Sequence, residues 1–148
     1  MDDSEFWKII ELLNWNDAGD DEVVVEPVIE YLSRLSNEAI FDFEELLAQK
    51  LHALDTRSHA KEIGEYAYVN GDDDFSVDGF LYARCVVVVN GKQQFEQVLS
   101  TPTEFPKDLE FEAILYVAQD AYERKNGKEW DFVSPTDYET FKNISGWQ

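Results

Sequence analysis

Apolar residues recur along this chain mostly at helical spacing. Phe6, Ile9, Ile10 and Leu13 follow the i, i+3, i+4, i+7 pattern of one helix face. Ser4 is well placed to cap that helix, and Asp2, Asp3 and Glu5 suit its positive end. Residues 14–22 (NWNDAGDDE) are polar and read as a loop. Pro27 then fits the first turn of a second helix carrying Val28, Tyr31, Leu32 and Leu35. Ser36 reads as the cap of a third helix, the clearest of the first half, with a stripe of Ile40, Phe43, Leu47, Leu51 and Leu54. A fourth helical stretch is expected from Arg57 to about Val69, ended by NGDDD at 70–74.

The second half holds one ambiguous segment. CVVVVNGKQQF (85–95) reads locally as a β-hairpin, because four β-branched residues precede Asn90-Gly91, the favoured pair for a type I′ turn. The competing reading is a helix stopped at Gly91 and a second one through Phe95, Val98 and Leu99. Pro102 and Pro106 mark a turn. Phe111, Ile114, Leu115, Ala118, Ala121 and Tyr122 then predict an amphipathic helix, with Lys125 near its negative end and Gly127 as its stop. Ser134-Pro135 can open a last short helix over 136–142. No repeat or low-complexity linker interrupts the chain, so residues 1–148 read as a single domain.

Composition supports a real core: 44% of the 148 residues are hydrophobic and 14% aromatic, unlike a disordered chain. The valine run Val86–Val89 is far too short to span a bilayer. The opening MDDSE has neither the basic nor the apolar region of a secretory signal, and the lone Cys85 permits no intramolecular disulfide. Cytoplasm is the expected location. Thirty-two acids against twelve bases give a net charge of −20. Nucleic acid and anionic membrane would be repelled, whereas a basic protein would be attracted and steered. Solubility, or salt adaptation of the source, would produce the same composition.

Candidate chemistry is sparse. Asp74, Ser76, Asp78 and Gly79 match the opening of a calcium loop, but its twelfth position is Cys85 where a bidentate Glu belongs. His52 and His59 are the only histidines. They form no zinc-binding pattern and read as surface residues. Cys85 beside the valines reads as a buried thiol. No nucleophile elbow, phosphate loop or dinucleotide fingerprint occurs, and with this many acids the spacing of carboxylate pairs carries no information. No metal, cofactor or catalytic residue is therefore expected. Arg84 lies among Phe80, Tyr82 and the valines, so it should need a carboxylate, from Asp78 or one of Asp72–Asp74. Asp74, Asp78 and Arg84 thus form the candidate site. The structural reading is an ion pair, and the functional one a small anion pocket.

Several stretches resemble a known family. They are Phe6-Trp7-x-x-Ile10, then Leu35-Ser36-x-Glu38-x-Ile40-x-x-Phe43, then DGFLYARCVVVVNGKQQFEQVL (78–99), and LEFEAILYVAQDAYERKNGKEWDF (109–132). Together they are similar to bacterial domain-of-unknown-function family number 4240 over nearly all the chain. This chain departs from the pattern at Ala83, where the family has an aromatic, and at Val86–Val88, where it has W-L-I. Its Gly71–Asp74 is shorter and more acidic than the family's G-G-C-S-D-D. The resemblance implies a compact, largely α-helical domain and no established reaction. Some relatives resemble regions of larger bacterial proteins that carry a WGR-type domain and are labelled regulators. Asp78, Phe80, Arg84, Gly91, Phe95 and Glu96 carry over as pattern positions without roles. The resemblance favours helices over the hairpin at 82–98. The expected fold is an all-α (mostly α) single-domain bundle of about six to eight helices, with α+β as the alternative. The expected function is non-enzymatic: an acidic protein that binds a basic partner, such as an immunity protein masking a basic toxin (a nuclease, for instance). The alternative is a small-molecule-sensing or regulatory domain, with Arg84 and the loop Asp72–Asp78 lining its pocket.

Overall fold

The computed structural model describes residues 1–71 and 74–148; Asp72 and Asp73, two of the acids considered as partners for Arg84, lie outside them. The fold is all-α. Among the described residues there are eight α-helices, three short 3₁₀ turns and no strand. None of these helices is long and apolar enough to cross a membrane.

The chain divides into two compact units, each built from two sequence segments: residues 1–47 with 113–135, and residues 48–112 with 136–148. The first unit holds α1 (Asp3–Ile10), α2 (Asp21–Ser33), the first part of α3 (Asn37–Ala53) and α7 (Val117–Asn126). Phe6 stacks on Phe43 with ring centroids 4.9 Å apart, and Phe41, Tyr122, Trp130 and Phe132 form an aromatic cluster. Asn126 Nδ2 donates to Asn37 Oδ1 at 3.0 Å, and Lys125 donates to the Leu35 carbonyl at 2.5 Å. The second unit holds the end of α3, then α4 (Arg57–Ala60), α5 (Val77–Val89), α6 (Lys92–Ser100) and α8 (Ile144–Trp147).

Several boundaries differ from the sequence reading for identifiable reasons. The cap of α1 is Asp2, not Ser4: its Oδ1 accepts the Glu5 N–H at 2.8 Å. Helix α2 starts six residues before Pro27, capped by Asp20 and led by Asp21 and Glu22. Burial of Val24, Val25, Val28, Ile29 and Leu32 outweighs the hydrogen bond that Pro27 cannot donate inside the helix. Ser36 caps α3 as expected, accepting the Ala39 N–H at 3.1 Å, and the whole stripe Ile40, Phe43, Leu47, Leu51 and Leu54 is buried.

The expected fourth helix stops after one turn, at Ala60. Gly64 adopts φ +114°, where a Cβ would come within 2.2 Å of Asp108 Oδ1, so the chain must leave helical geometry there. The predicted helix at 111–122 divides into a 3₁₀ turn, Glu112–Tyr116, followed by α7. Gly127 ends α7 in left-handed geometry at φ +63°, as its sequence position suggests.

At 82–98 the structure has two helices and no hairpin. Asn90 sits at φ −82°, whereas a type I′ turn needs positive φ at both central residues. Gly91, at φ +103°, leads into α6 instead. Every residue from Ala83 to Val89 is buried, so this part of α5 is enclosed on all sides and its core contacts override the weak helix propensity of valine.

The last predicted helix, 136–142, is irregular, and α8 follows it. Its backbone groups are engaged by side chains instead. Asp55 accepts the N–H groups of Phe141 and Asn143, and Arg84 takes the Tyr138 carbonyl.

Candidate functional site

Arg84 is fully enclosed in the second unit, yet among the described residues its hydrogen-bond partners are not carboxylates. Nη1 donates to the carbonyls of Leu51 at 2.8 Å and Tyr138 at 2.9 Å, and Nη2 donates to Thr140 Oγ1 at 3.0 Å. The Thr140 hydroxyl in turn donates to the Val77 carbonyl at 2.7 Å. The guanidinium lies over the Phe80 ring, 4.6 Å from its centroid. Nε is buried and has no hydrogen-bond partner among the described residues. Burial pulls the guanidinium down to about 10, opposed mainly by the charge of Asp55, so it stays cationic at neutral pH.

The expected ion pair with Asp74 or Asp78 is therefore replaced by a neutral set of acceptors. Asp78 lies exposed in the first turn of α5, and Asp74 is exposed in the preceding turn. Ser76, between them, caps α5 by accepting the Gly79 N–H at 2.9 Å. Among the described residues no three His, Cys, Asp or Glu side chains gather in a group able to hold a metal ion.

The nearest buried acid to this arrangement is Asp55, which the sequence did not single out. It accepts the N–H groups of Phe141 at 3.1 Å and Asn143 at 3.0 Å and the indole N–H of Trp147 at 2.8 Å. Trp147 in turn packs among Tyr68, Phe75, Phe80 and Phe141. Asp55 and Arg84 thus hold residues 138–147 against α3 and α5.

His59 corrects the expectation of a surface residue. It is buried, its Nε2 lies 2.9 Å from the Val98 carbonyl and its Nδ1 lies 2.6 Å from Thr56 Oγ1. Burial lowers its pKa, which favours the neutral ring, with Nε2–H donating to the Val98 carbonyl and Nδ1 free to accept from the Thr56 hydroxyl. His52 donates from Nδ1 to the Asp137 carbonyl at 3.0 Å. Cys85 is fully buried among apolar neighbours, and burial pushes its thiol up to about 12, which removes its nucleophilic form at neutral pH.

The second unit does present an open cleft of about 520 Å³. Ile63, Phe80 and Ala83 give it buried apolar surface, and Glu65, Asp108 and Glu110 bring three carboxylates with no lysine or arginine among the lining residues. Tyr66 and Leu109, 76% and 55% exposed, add apolar surface open to solvent. Its walls are tied together: Asp108 donates its N–H to the Ile63 carbonyl at 2.9 Å and accepts the Glu65 N–H on Oδ1 at 2.7 Å. Asp108 holds φ +58° to do so. Lys107 pairs with Glu62 at 3.0 Å, and the Phe111 N–H reaches the Tyr82 carbonyl at 3.1 Å. Arg84 does not line this cleft. Sequence reasoning missed these residues because nothing in the string indicates that 63–66 and 108–110 meet.

Glu44, on α3, is the other unusual acid. Its Oε1 is buried with no partner among the described residues, and burial, with the charge of Glu45 adding, raises its pKa from 4.5 to about 7. The folded chain therefore binds this proton more tightly than the unfolded one. The associated stability is fully present below about pH 4.5 and is lost as pH rises through about 7. Glu44→Gln should be stabilising by about 2 kcal/mol at pH 8 and nearly neutral at pH 4. Urea unfolding at the two pH values checks this; an equal effect at both would contradict it.

No curated protein and no solved structure matches the chain. A family model described as "Protein of unknown function (DUF4240)" covers residues 1–124, so the segment bearing Tyr138, Thr140 and Trp147 lies beyond the matched part. The chain belongs to the DUF4240 family.

Proposed function

We propose that this is a non-enzymatic, acidic protein-binding protein of the bacterial cytoplasm whose partner is basic. In its most concrete form it is an immunity protein that neutralises a basic toxin such as a nuclease. The observation that carries this reading is the disposition of charge. The net charge is −20, and among the described residues Asp55 is the one acid enclosed as a whole residue, with the Glu44 carboxyl also withdrawn from water. So large an outward negative potential accelerates encounter with a cationic protein and disfavours nucleic acid. The residues best suited to covalent or acid–base chemistry are engaged internally: Cys85 as a protonated thiol, His59 with both ring nitrogens bonded.

The test is capture from the native host at about 20 mM salt, followed by kinetics with the purified partner. A basic partner is expected, with association slowing at least tenfold between about 20 and 300 mM salt. Protection of cells that express that partner would establish the immunity form. A neutral or acidic partner, or an association rate indifferent to salt, would overturn the reading.

A second reading, a small-molecule-sensing or regulatory domain, draws support from the cleft, whose 520 Å³ falls in the range of ligand sites. Its three carboxylates would select a cationic ligand.

A further inference from the structure

We propose that the cleft bounded by Glu65, Asp108 and Glu110 is where the basic partner docks, receiving one lysine or arginine side chain together with the apolar residue beside it. This rests on the protein-binding reading above and names the surface and the chemistry it recognises. The cleft combines two properties. Its carboxylates have no cation among the lining residues, whereas Glu26, Glu30 and Glu62 each already pair with an arginine or lysine. Beside those carboxylates lies apolar surface, contributed by Ile63, Phe80 and Ala83 within and by Tyr66 and Leu109 at its exposed parts.

A long basic side chain needs this combination, because its methylene stem gains from apolar contact while its head group seeks carboxylates. The site is also preorganised. Asp108 is fixed by its bonds to residues 63 and 65, and Gly79 packs closely on Ser76, where a Cβ would lie 3.1 Å from the Ser76 Oγ. A neutral apolar segment would offer the three carboxylates no counter-charge, and an acidic one would be repelled.

The experiment uses the full ¹⁵N-labelled chain, titrated at low salt with three capped hexapeptides: alternating Lys-Leu, all-Lys, and alternating Glu-Leu. The Lys-Leu peptide is expected to bind most tightly and to shift amides of residues 63–66, 79–83 and 108–110. The Glu-Leu peptide should shift none. The double variant Glu65→Gln/Glu110→Gln should weaken Lys-Leu binding at least tenfold, and Leu109→Ser at least threefold, while all-Lys binding falls less with Leu109→Ser. The comparison variant Glu22→Gln/Glu38→Gln, which removes the same charge from α2 and α3, should change binding less than twofold. Equal weakening by both double variants would overturn the docking site and leave the charge-driven reading standing. Failure of both lysine peptides to bind would overturn both. Thermal unfolding of each variant confirms that the fold is retained.

Discussion

Arg84→Ala should lower the unfolding free energy by about 4 kcal/mol, read as a shift of the urea midpoint at unchanged slope. Three effects add. The carbonyls of Leu51 and Tyr138 and the Thr140 hydroxyl lose charge-assisted donors in a place water does not reach, since Arg84 is fully buried. The volume left behind is large. The contact with the Phe80 face, 4.6 Å from the guanidinium carbon, disappears. One effect opposes: the cost of burying the cation is relieved. Arg84→Met isolates that term, because it keeps much of the volume and drops the charge. It should lose about half as much, roughly 2 kcal/mol. Arg84→Lys should not restore the parent value, since a single ammonium cannot match a planar fork serving three acceptors and an aromatic face. An alanine variant within about 1 kcal/mol of the parent would show that these bonds contribute little net stability.

Asp55→Ala should release the C-terminal segment before it affects the rest of the chain. The carboxylate is the shared acceptor for Phe141 N–H, Asn143 N–H and the Trp147 indole, and it is fully buried. Its removal orphans three donors at about 1–3 kcal/mol each. The segment can avoid part of that penalty by leaving, so the loss appears first as local opening. Amide exchange at Phe141 and Asn143 is expected to quicken by at least a hundredfold, and the Trp147 side chain to become more accessible to a fluorescence quencher. Asp55→Asn keeps acceptor capacity and should show a smaller effect. Unchanged protection at Phe141 and Asn143 in the alanine variant would mean that the aromatic packing of Trp147, not Asp55, holds the segment. Helix α2 provides an internal reference, because it belongs to the first unit and its cap, Asp20 Oδ1 accepting the Val23 N–H, does not involve Asp55.

The elements that could be read in advance are those whose signals are local. The stripe from Ile40 to Leu54 and the cap at Ser36 report a helix through spacing and one side-chain bond, and α3 follows them. Gly127 likewise ends α7 because a left-handed residue is needed there. The valines of α5 show where local signals fail. Their β propensity and the Asn90-Gly91 pair pointed to a hairpin, but those preferences are fractions of a kcal/mol per residue and yield to burial on every side. Family resemblance, not propensity, gave the right element there. The site was less legible. Arg84 was recognisable as a cation in an apolar setting, yet its partners, Leu51, Tyr138 and Thr140, lie 33 to 56 residues away and two of them contribute only backbone oxygens. Backbone acceptors leave no trace in residue type.

By itself the sequence determined a mostly helical chain, the placement of most apolar stripes and the net charge of −20, because periodicity and composition act residue by residue, while the helices at 82–98 followed only from the family resemblance. Tertiary structure alone decided which acids matter. It buried Asp55 as an acceptor, drove the Glu44 carboxyl up to about 7, and gathered Glu65, Asp108 and Glu110 around one cleft. The physical reason is that a carboxylate's role is set by its neighbours: the same side chain is a solvated charge, a buried acceptor or a binding group according to what the fold brings beside it.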